Sequence, residues 1–365
     1  MKSTAARAAA ILGAGALLLS ACGAPPEEQK GAGGDSSAPK DYKACMVSDQ
    51  GGFDDKSFNE SGHDGLVAIK DQTGAEIQTA ESSSPADFQP NLQNMVNQGC
   101  TLTYTVGFLL AGSTATAAKA NPDAHYAIID SPALDSDGNP IEVENVKPIL
   151  FDTAQASYLA GYLAAGMSET GVVATYGGMK IPSVTIFMDG FVDGVAKYNE
   201  VHGTDVKVLG WNKDKQDGSF SGDFEDQTKG KTLTEGFISQ KADIIMPVAG
   251  PVGAGTLAAA KEHDGTKVIW VDADGVKTNP DSKEVILTSV MKGIAPAVED
   301  VAAADMAGYF SNEPYVGTLE NEGVSLAPFY DFDSKVPADL KKEIDSLKQD
   351  IIDGKVTVDS PSSPK

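Results

Sequence analysis

Short apolar segments alternate with longer segments of mixed polarity along this chain. The short segments have the length of buried strands, and the longer ones repeat apolar residues at helical spacing. The predicted strands cover residues 44–47, 76–80, 102–106, 126–130, 149–151, 172–176, 206–211, 244–248, 268–271, 285–290 and 324–327. The predicted helices include residues 88–98, 154–168, 183–198, 228–240 and 253–263. This alternation is typical of parallel βαβ units, and 365 residues exceed one ordinary domain. The pattern therefore predicts an α/β protein with two lobes.

The amino terminus has the pattern of a lipoprotein signal peptide. Two basic residues precede an apolar segment at residues 8–19, and the sequence L-S-A-C that ends at Cys22 matches a lipobox. The apolar segment is shorter than the about 20 residues that a membrane-spanning helix needs. We expect residues 1–21 to be removed and Cys22 to carry lipid, which holds the protein on a membrane.

Two further segments lack apolar periodicity. Residues 22–41 are rich in glycine, proline, serine and charge, and we expect a flexible tether there. Residues 353–365 end in a similarly polar sequence, and we expect a disordered tail there.

Acidic residues outnumber basic ones by 52 to 28, which gives a formal net charge of −24. Binding to a nucleic-acid polymer needs clustered lysine and arginine, and the sequence contains no basic stripe. We therefore expect no nucleic-acid polymer as a partner. The same negative field disfavours free nucleotides and has little effect on neutral ligands.

Two cysteines remain besides the lipobox cysteine. Cys45 and Cys100 open the first and third predicted strands, which lie side by side in a doubly wound sheet. A disulfide between them and a pair of buried thiols are both compatible with this placement. The four histidines are scattered and no cysteines are closely spaced, so we expect no metal site and no cofactor.

A glycine-rich turn follows the first predicted strand, in the sequence V-S-D-Q-G-G-F-D-D-K-S-F-N at residues 47–59. It brings Asp49, Phe58 and Asn59 near the carboxyl end of a strand, where open α/β sheets bind ligands. A carboxylate accepts from hydroxyls, an amide pairs with a base edge, and a phenyl ring stacks. The alternative is that Asp49 only supports the turn and Phe58 belongs to the core.

This thirteen-residue string resembles the signature of the basic membrane protein family, lipoproteins related to purine nucleoside receptor A. These are substrate-binding components of ABC transporters, and the resemblance covers residues 42–345. It implies the type I periplasmic-binding-protein fold, in which two doubly wound α/β lobes are joined by a three-stranded hinge and close over a ligand. The first lobe would comprise residues 42–150 and about 277–315. The second would comprise residues 151–276 and about 316–352.

The resemblance also implies how a base would be held. Asp130, at the end of the fourth predicted strand, would contact the base edge. An aromatic residue of the second lobe would stack opposite Phe58, and Phe187 is the choice for this role. Phe191 lies one helical turn away and is the alternative, because either ring can belong to the core instead.

The same resemblance assigns the sugar contacts. The glycine turn at Gly250 would lie against the sugar, and Asp272 with Lys292 would bind the ribose diol. Asp274 is the alternative carboxylate. Asp272 and Lys292 could instead form a salt bridge that only stabilises the hinge. The two roles are compatible.

The lipobox predicts a protein on the extracytoplasmic face of the cell membrane, lipid-anchored through Cys22, and the family resemblance implies that it binds nucleosides, purine nucleosides foremost. Its partners would be the permease and ATPase subunits of an ABC importer. The alternative is a lipoprotein receptor or sensor for another polyol-bearing ligand. An enzyme acting on nucleosides is disfavoured, because the chain contains no G-x-S-x-G elbow, metal-ligand cluster or phosphate cradle.

Overall fold

The computed structural model describes residues 37–364. The expected signal peptide, Cys22 and most of the expected tether lie outside this range. The end of the tether, residues 37–41, is described, and there the Ala38 N–H donates to the carbonyl oxygen of Thr73 at 2.8 Å. Across residues 37–364 no helix has the length and apolar character needed to cross a membrane.

Strands and helices alternate along the chain, as the hydrophobic pattern predicts. The strands are β1 (Lys43–Ser48), β2 (Glu76–Ala80), β3 (Leu102–Val106), β4 (His125–Ile129), β5 (Val146–Phe151), β6 (Val172–Gly177), β7 (Lys207–Leu209), β8 (Trp211–Asn212), β9 (Asp217–Gly218), β10 (Ile244–Val248), β11 (Lys267–Asp272), β12 (Ile286–Lys292), β13 (Tyr315–Gly317) and β14 (Val324–Leu326). The helices are α1 (Phe58–Thr73), α2 (Pro85–Asn97), α3 (Ala111–Ala120), α4 (Thr153–Met167), α5 (Pro182–His202), α6 (Gln227–Ser239), α7 (Gly253–Glu262), α8 (Gly275–Thr278), α9 (Ile294–Met306) and α10 (Ala338–Ile352).

Twelve of the strands form two six-stranded sheets, one in each lobe. The first sheet has the order β13-β5-β4-β3-β1-β2 and is parallel throughout. The second has the order β14-β12-β11-β10-β6-β7, and its edge strand β14 is antiparallel to β12. Strands β1, β3, β10 and β11 are buried almost throughout, because helices cover both faces of a doubly wound sheet.

Three chain segments pass between the lobes. They follow β5, β12 and β13, since α4 packs on α5, α9 packs on α1, and β14 returns to the second sheet. The expected start of the first-lobe segment, near residue 277, is therefore too early. Residues 286–292 pair with β11 of the second sheet, and the chain crosses to the first lobe after Lys292. The first sheet also extends to β13, which the hydrophobic pattern did not predict because this edge strand has three residues.

The chain end also differs from the expected disordered tail at 353–365. Residues 353–364 are described, and the Val358 side chain is buried in the core. The Ser360 hydroxyl donates to the fully buried carboxylate of Asp189 at 2.6 Å, and Ser363 donates to Asp152 at 3.0 Å. These contacts are long-range in sequence, so a polar composition alone does not reveal them.

Cys45 and Cys100 form a disulfide, with their Cα atoms 5.9 Å apart. The bond follows from sheet topology, because β1 pairs in parallel with β3 and Ala44 lies opposite Leu102. Its partners are 55 residues apart in sequence. A crosslink closing a loop of that length stabilises the fold by about 4 kcal/mol in the chain-entropy picture.

Candidate functional site

The candidate site lies between the lobes, where the carboxyl ends of the strands of both sheets face each other. All but one of the sequence-predicted ligand residues line it: Asp49, Phe58, Asn59 and Asp130 from the first lobe, and Phe187, Gly250, Asp272 and Lys292 from the second. The free volume among them is about 60 Å³. This is room for about two water molecules.

The turn after β1 is held by hydrogen bonds that start helix α1. The Asp55 carboxylate accepts from the backbone N–H groups of Ser57, Asn59 and Glu60 at 2.8–3.0 Å. A carboxylate in this position satisfies N–H groups that the first turn of a helix leaves unpaired. Asp55 thereby fixes the direction in which the Phe58 and Asn59 side chains leave the helix.

Asp49 and Asn59 form a buried polar pair. The Asn59 Nδ2 donates to Asp49 Oδ1 at 3.2 Å, and both side chains are nearly inaccessible to water. Gly107 makes this packing possible: its φ is +107°, and a Cβ atom there would lie 2.0 Å from Asp49 Oδ2. Within the described chain, Asn59 Oδ1 is a buried acceptor without a hydrogen-bond partner, which suits a group waiting for a donor from a ligand.

Burial raises the pKa of Asp49 to about 8, against the opposing effect of the Asn59 hydrogen bond. The nearby carboxylates of Asp55 and Asp130 raise the pKa further. A protonated Asp49 is a donor as well as an acceptor. The pair with Asn59 therefore offers both kinds of hydrogen bond to a ligand edge.

We expect Asp49→Asn to make the free energy of unfolding less dependent on pH. Between the ordinary pKa of 3.8 and the folded value of about 8, the folded state holds a proton that the unfolded state releases. Stability should therefore fall as the pH rises through this window, and asparagine removes that contribution. Denaturant unfolding at several pH values between about 5 and 8 measures the slope. Asp54→Asn, at an exposed carboxylate of the same loop, is the control, and equal slopes for Asp49→Asn and wild type would contradict the assignment.

Lys292 lies at the centre of the site, with its side chain 2 % exposed. Its ammonium forms an ion pair with Asp130 of the opposite lobe and another with Asp272 Oδ1 at 3.1 Å. Burial lowers the pKa of Lys292, but the two carboxylates outweigh it, and the pKa lies above its ordinary value. Burial raises the pKa of Asp130, and Lys292 opposes that rise.

Both partners of Lys292 occupy unusual backbone conformations. Asp130 has a φ of +64° and Asp272 a φ of +67°, each at the carboxyl end of its strand. Non-glycine residues in the left-handed region cost about 1–3 kcal/mol and concentrate at functional sites. In this conformation both carboxylates turn toward one ammonium.

Two phenyl rings flank the same ammonium. The Lys292 Nζ lies 5.1 Å from the centre of the Phe58 ring and 4.7 Å from that of Phe187. These are cation–π distances. One ring comes from each lobe, so the two aromatic side chains face a common space in the cleft.

Direct hydrogen bonds join the lobes across the cleft. The Ser57 hydroxyl contacts both Asp272 Oδ2 and the carbonyl oxygen of Val271 at 3.0 Å. The Trp270 indole donates to the Lys56 carbonyl at 3.2 Å. With the Lys292–Asp130 ion pair, these contacts hold the lobes together in a closed arrangement.

The structure places the alternative residues from the sequence in different surroundings. Phe187 lines the cleft, whereas Phe191 is fully buried beneath it against α4. Asp272 faces Lys292, whereas Asp274 accepts from the Tyr330 hydroxyl and pairs with Lys277 outside the cleft. Gly250 has a φ of +52° and open space where a Cβ would lie, so its backbone is accessible to a ligand.

Phe224 and Ser57 are among the side chains that the sequence did not assign to the site. Phe224 lines the cleft from an irregular loop and packs on Gly178, and no periodic pattern marks that loop. Ser57 directly precedes helix α1, and its hydroxyl reaches the opposite lobe. Within residues 37–364 no group of three or more histidine, cysteine or acidic side chains is arranged to hold a metal ion.

Comparisons with known proteins agree with this architecture. A family described as "ABC transporter substrate-binding protein PnrA-like" matches residues 42–359. The ABC transporter nucleoside-binding protein BmpA of Lactococcus lactis is 31 % identical over 338 residues, covering 88 % of this chain and 90 % of that protein. Basic membrane protein A of Borreliella burgdorferi is 31 % identical over 321 residues, covering 87 % and 88 % respectively.

Solved structures share the fold. An ABC transporter solute-binding protein from Aeropyrum pernix superposes with a TM-score of 0.78 at 24 % identity, covering 88 % of this chain and 94 % of that one. The expected type I periplasmic-binding-protein fold is thereby confirmed. The fold and the relatives are those of binding proteins rather than enzymes. The chain belongs to the PnrA-like family of ABC transporter substrate-binding proteins.

Proposed function

We propose that this protein binds nucleosides, purine nucleosides foremost, in the cleft between its lobes. It captures them outside the cytoplasmic membrane and presents them to the permease of an ABC importer, which a partner ATPase drives. The name of the Lactococcus lactis relative, a nucleoside-binding protein, supports this ligand class.

The observation that carries the proposal is the arrangement around Lys292. Phe58 and Phe187 approach it from opposite lobes, and Asp130 and Asp272 pair with it. Two facing phenyl rings suit a planar base, with about 1–3 kcal/mol gained per stacking contact. A carboxylate that accepts from a diol, beside an ammonium that donates to it, suits ribose.

In this proposal Asp49, Asn59 and Asp130 read the edge of the base, and Asp272, Lys292 and the Gly250 turn hold the sugar. The free volume of about 60 Å³ is far smaller than a nucleoside. Binding therefore requires the lobes to open and the Lys292 ammonium to move from between the rings toward the ribose. The lobes then close again with the ligand replacing the contacts that now join them.

The first test compares two phenylalanines between strand β1 and the start of helix α1, Phe53 and Phe58. Phe58→Ala should weaken binding of every nucleoside by about 1–3 kcal/mol, because one stacking face is lost. Phe53→Ala is the matched control, since its ring packs on His63 and does not line the cleft. Calorimetry with a panel of purine and pyrimidine nucleosides measures both. Equal affinities for Phe58→Ala and wild type would contradict the stacking role.

We also propose that Cys22 carries the lipid anchor. Cys22→Ser should abolish labelling by radioactive palmitate and release the protein from the membrane fraction, because the lipidated sulfur is gone. Ser20→Thr, two residues before the cysteine, is the control that should stay labelled. Unchanged labelling of Cys22→Ser would remove the assignment.

A further inference from the structure

A second cavity of about 640 Å³ adjoins the nucleoside site. We call it the side cavity. It is bounded by the loop between β4 and β5, the start of α5 and the chain end at residues 361–364. Phe108, Asp130 and Ser183 line both the side cavity and the nucleoside site, so the two spaces share part of their walls.

Most residues in the described wall of the side cavity are apolar, and none of them carries a positive charge. Its apolar side chains include Pro132, Leu134, Ile141, Val143 and Leu150. The charged residues among the described lining are all acidic: Asp130, Glu142 and Glu313. Such a wall suits an uncharged apolar group and repels phosphate.

The chain end holds the outer wall in place. The Ser362 hydroxyl lies 2.8 Å from that of Thr185 on α5, and Ser363 donates to Asp152 at the first crossing between the lobes. The side cavity is thus formed jointly by the first lobe, the second lobe and the chain end. Its shape is defined in the closed arrangement of the lobes.

The position of the side cavity indicates which part of a ligand faces it. It shares Asp130 with the nucleoside site, the carboxylate proposed to contact the base edge. Asp272, Lys292 and Gly250, proposed to hold the sugar, do not line it. In the proposed binding mode the base edge would therefore face the side cavity, and the sugar would face away from it.

We propose that the protein binds nucleosides whose base carries an apolar substituent on its exocyclic nitrogen, and that the side cavity receives this substituent. The inference rests on the proposed nucleoside function and extends it to base-modified ligands. A substituent of the size of a benzyl group is far smaller than the cavity, and its transfer from water gains at least about tenfold in affinity.

The test uses calorimetry on the full-length protein in detergent. Adenosine, guanosine and cytidine are each compared with the derivative that carries a benzyl group on the exocyclic nitrogen. For the parent that binds best, we expect the derivative to bind at least about tenfold more tightly.

Ile141→Asp places a charge on the wall of the side cavity and should remove this gain while leaving the affinity for the parent unchanged. Ile238→Asp, at a half-buried apolar residue of α6 that lines neither space, is the matched control and should keep the gain.

The outcomes separate this inference from the function on which it rests. If a parent nucleoside binds and its benzyl derivative binds more weakly, the side cavity does not accept the substituent. The inference is then wrong, while the nucleoside function stands. If Ile141→Asp keeps the full gain, the substituent lies elsewhere and the inference is again wrong. If no parent and no derivative binds, both proposals fail together.

Discussion

Lys292→Met is expected to lower the free energy of unfolding by about 3–5 kcal/mol at neutral pH. This is the usual cost when one partner of a buried ion pair is removed and the other charge stays behind. Here two nearly buried carboxylates, Asp130 and Asp272, would lose their shared ammonium. Methionine fills a similar volume, so the loss is electrostatic rather than a cavity effect.

The effect should shrink at low pH, because the Asp130 carboxyl, whose pKa burial raises, then takes up a proton. Lys277→Met is the matched control: this lysine pairs with Asp274, but its side chain is 75 % exposed. An exposed pair contributes about 0–1 kcal/mol. Denaturant unfolding of both variants measures the difference, and a loss below about 1 kcal/mol for Lys292→Met would show that water reaches the two carboxylates.

Asp272→Ala is expected to remove most of the preference for ribonucleosides over 2′,3′-dideoxyribonucleosides. A hydrogen bond to a charged group contributes about 1.5–3 kcal/mol, which corresponds to roughly ten- to a hundredfold in affinity. Without the carboxylate, the site no longer detects the missing hydroxyls. Calorimetry with both ligands on each variant gives the two affinity ratios.

Asp274→Ala is the matched control for this change. Its carboxylate lies two residues further along the chain and contacts Tyr330 and Lys277 instead of the cleft. It should retain the full ribose preference. If Asp272→Ala keeps that preference and Asp274→Ala loses it, the sugar is bound by the other carboxylate.

Much of the fold is predictable from the sequence, because strands and helices are marked by the pattern of apolar residues within short segments. Apolar segments such as residues 102–106 and 244–248 coincide with strands β3 and β10, since a strand covered on both faces is apolar along its whole length. The crossing after Lys292 is less predictable. The sequence of an apolar strand is the same kind of pattern in either sheet and does not show which sheet contains it. The pairing of β12 with β11 places β12 in the second lobe.

The site is predictable to the extent that its residues follow strands. Asp49, Asp130, Asp272 and Lys292 all stand at carboxyl ends of strands, and the parallel sheets bring those ends together. The contact between Lys292 and Asp130 joins residues 162 positions apart and depends on how the lobes meet. Local pattern carries no information on such a contact, nor on the chain end that packs against Asp152 and Asp189.

Calorimetry on the wild-type protein tests the central claim most directly. A nucleoside, its free base and free ribose are titrated in separate experiments. Because base and sugar are proposed to be bound by different parts of one cleft, the nucleoside should bind more than about a hundredfold more tightly than either fragment. No binding of any nucleoside at high micromolar concentration, or equal affinity for free ribose and the nucleoside, would contradict the account.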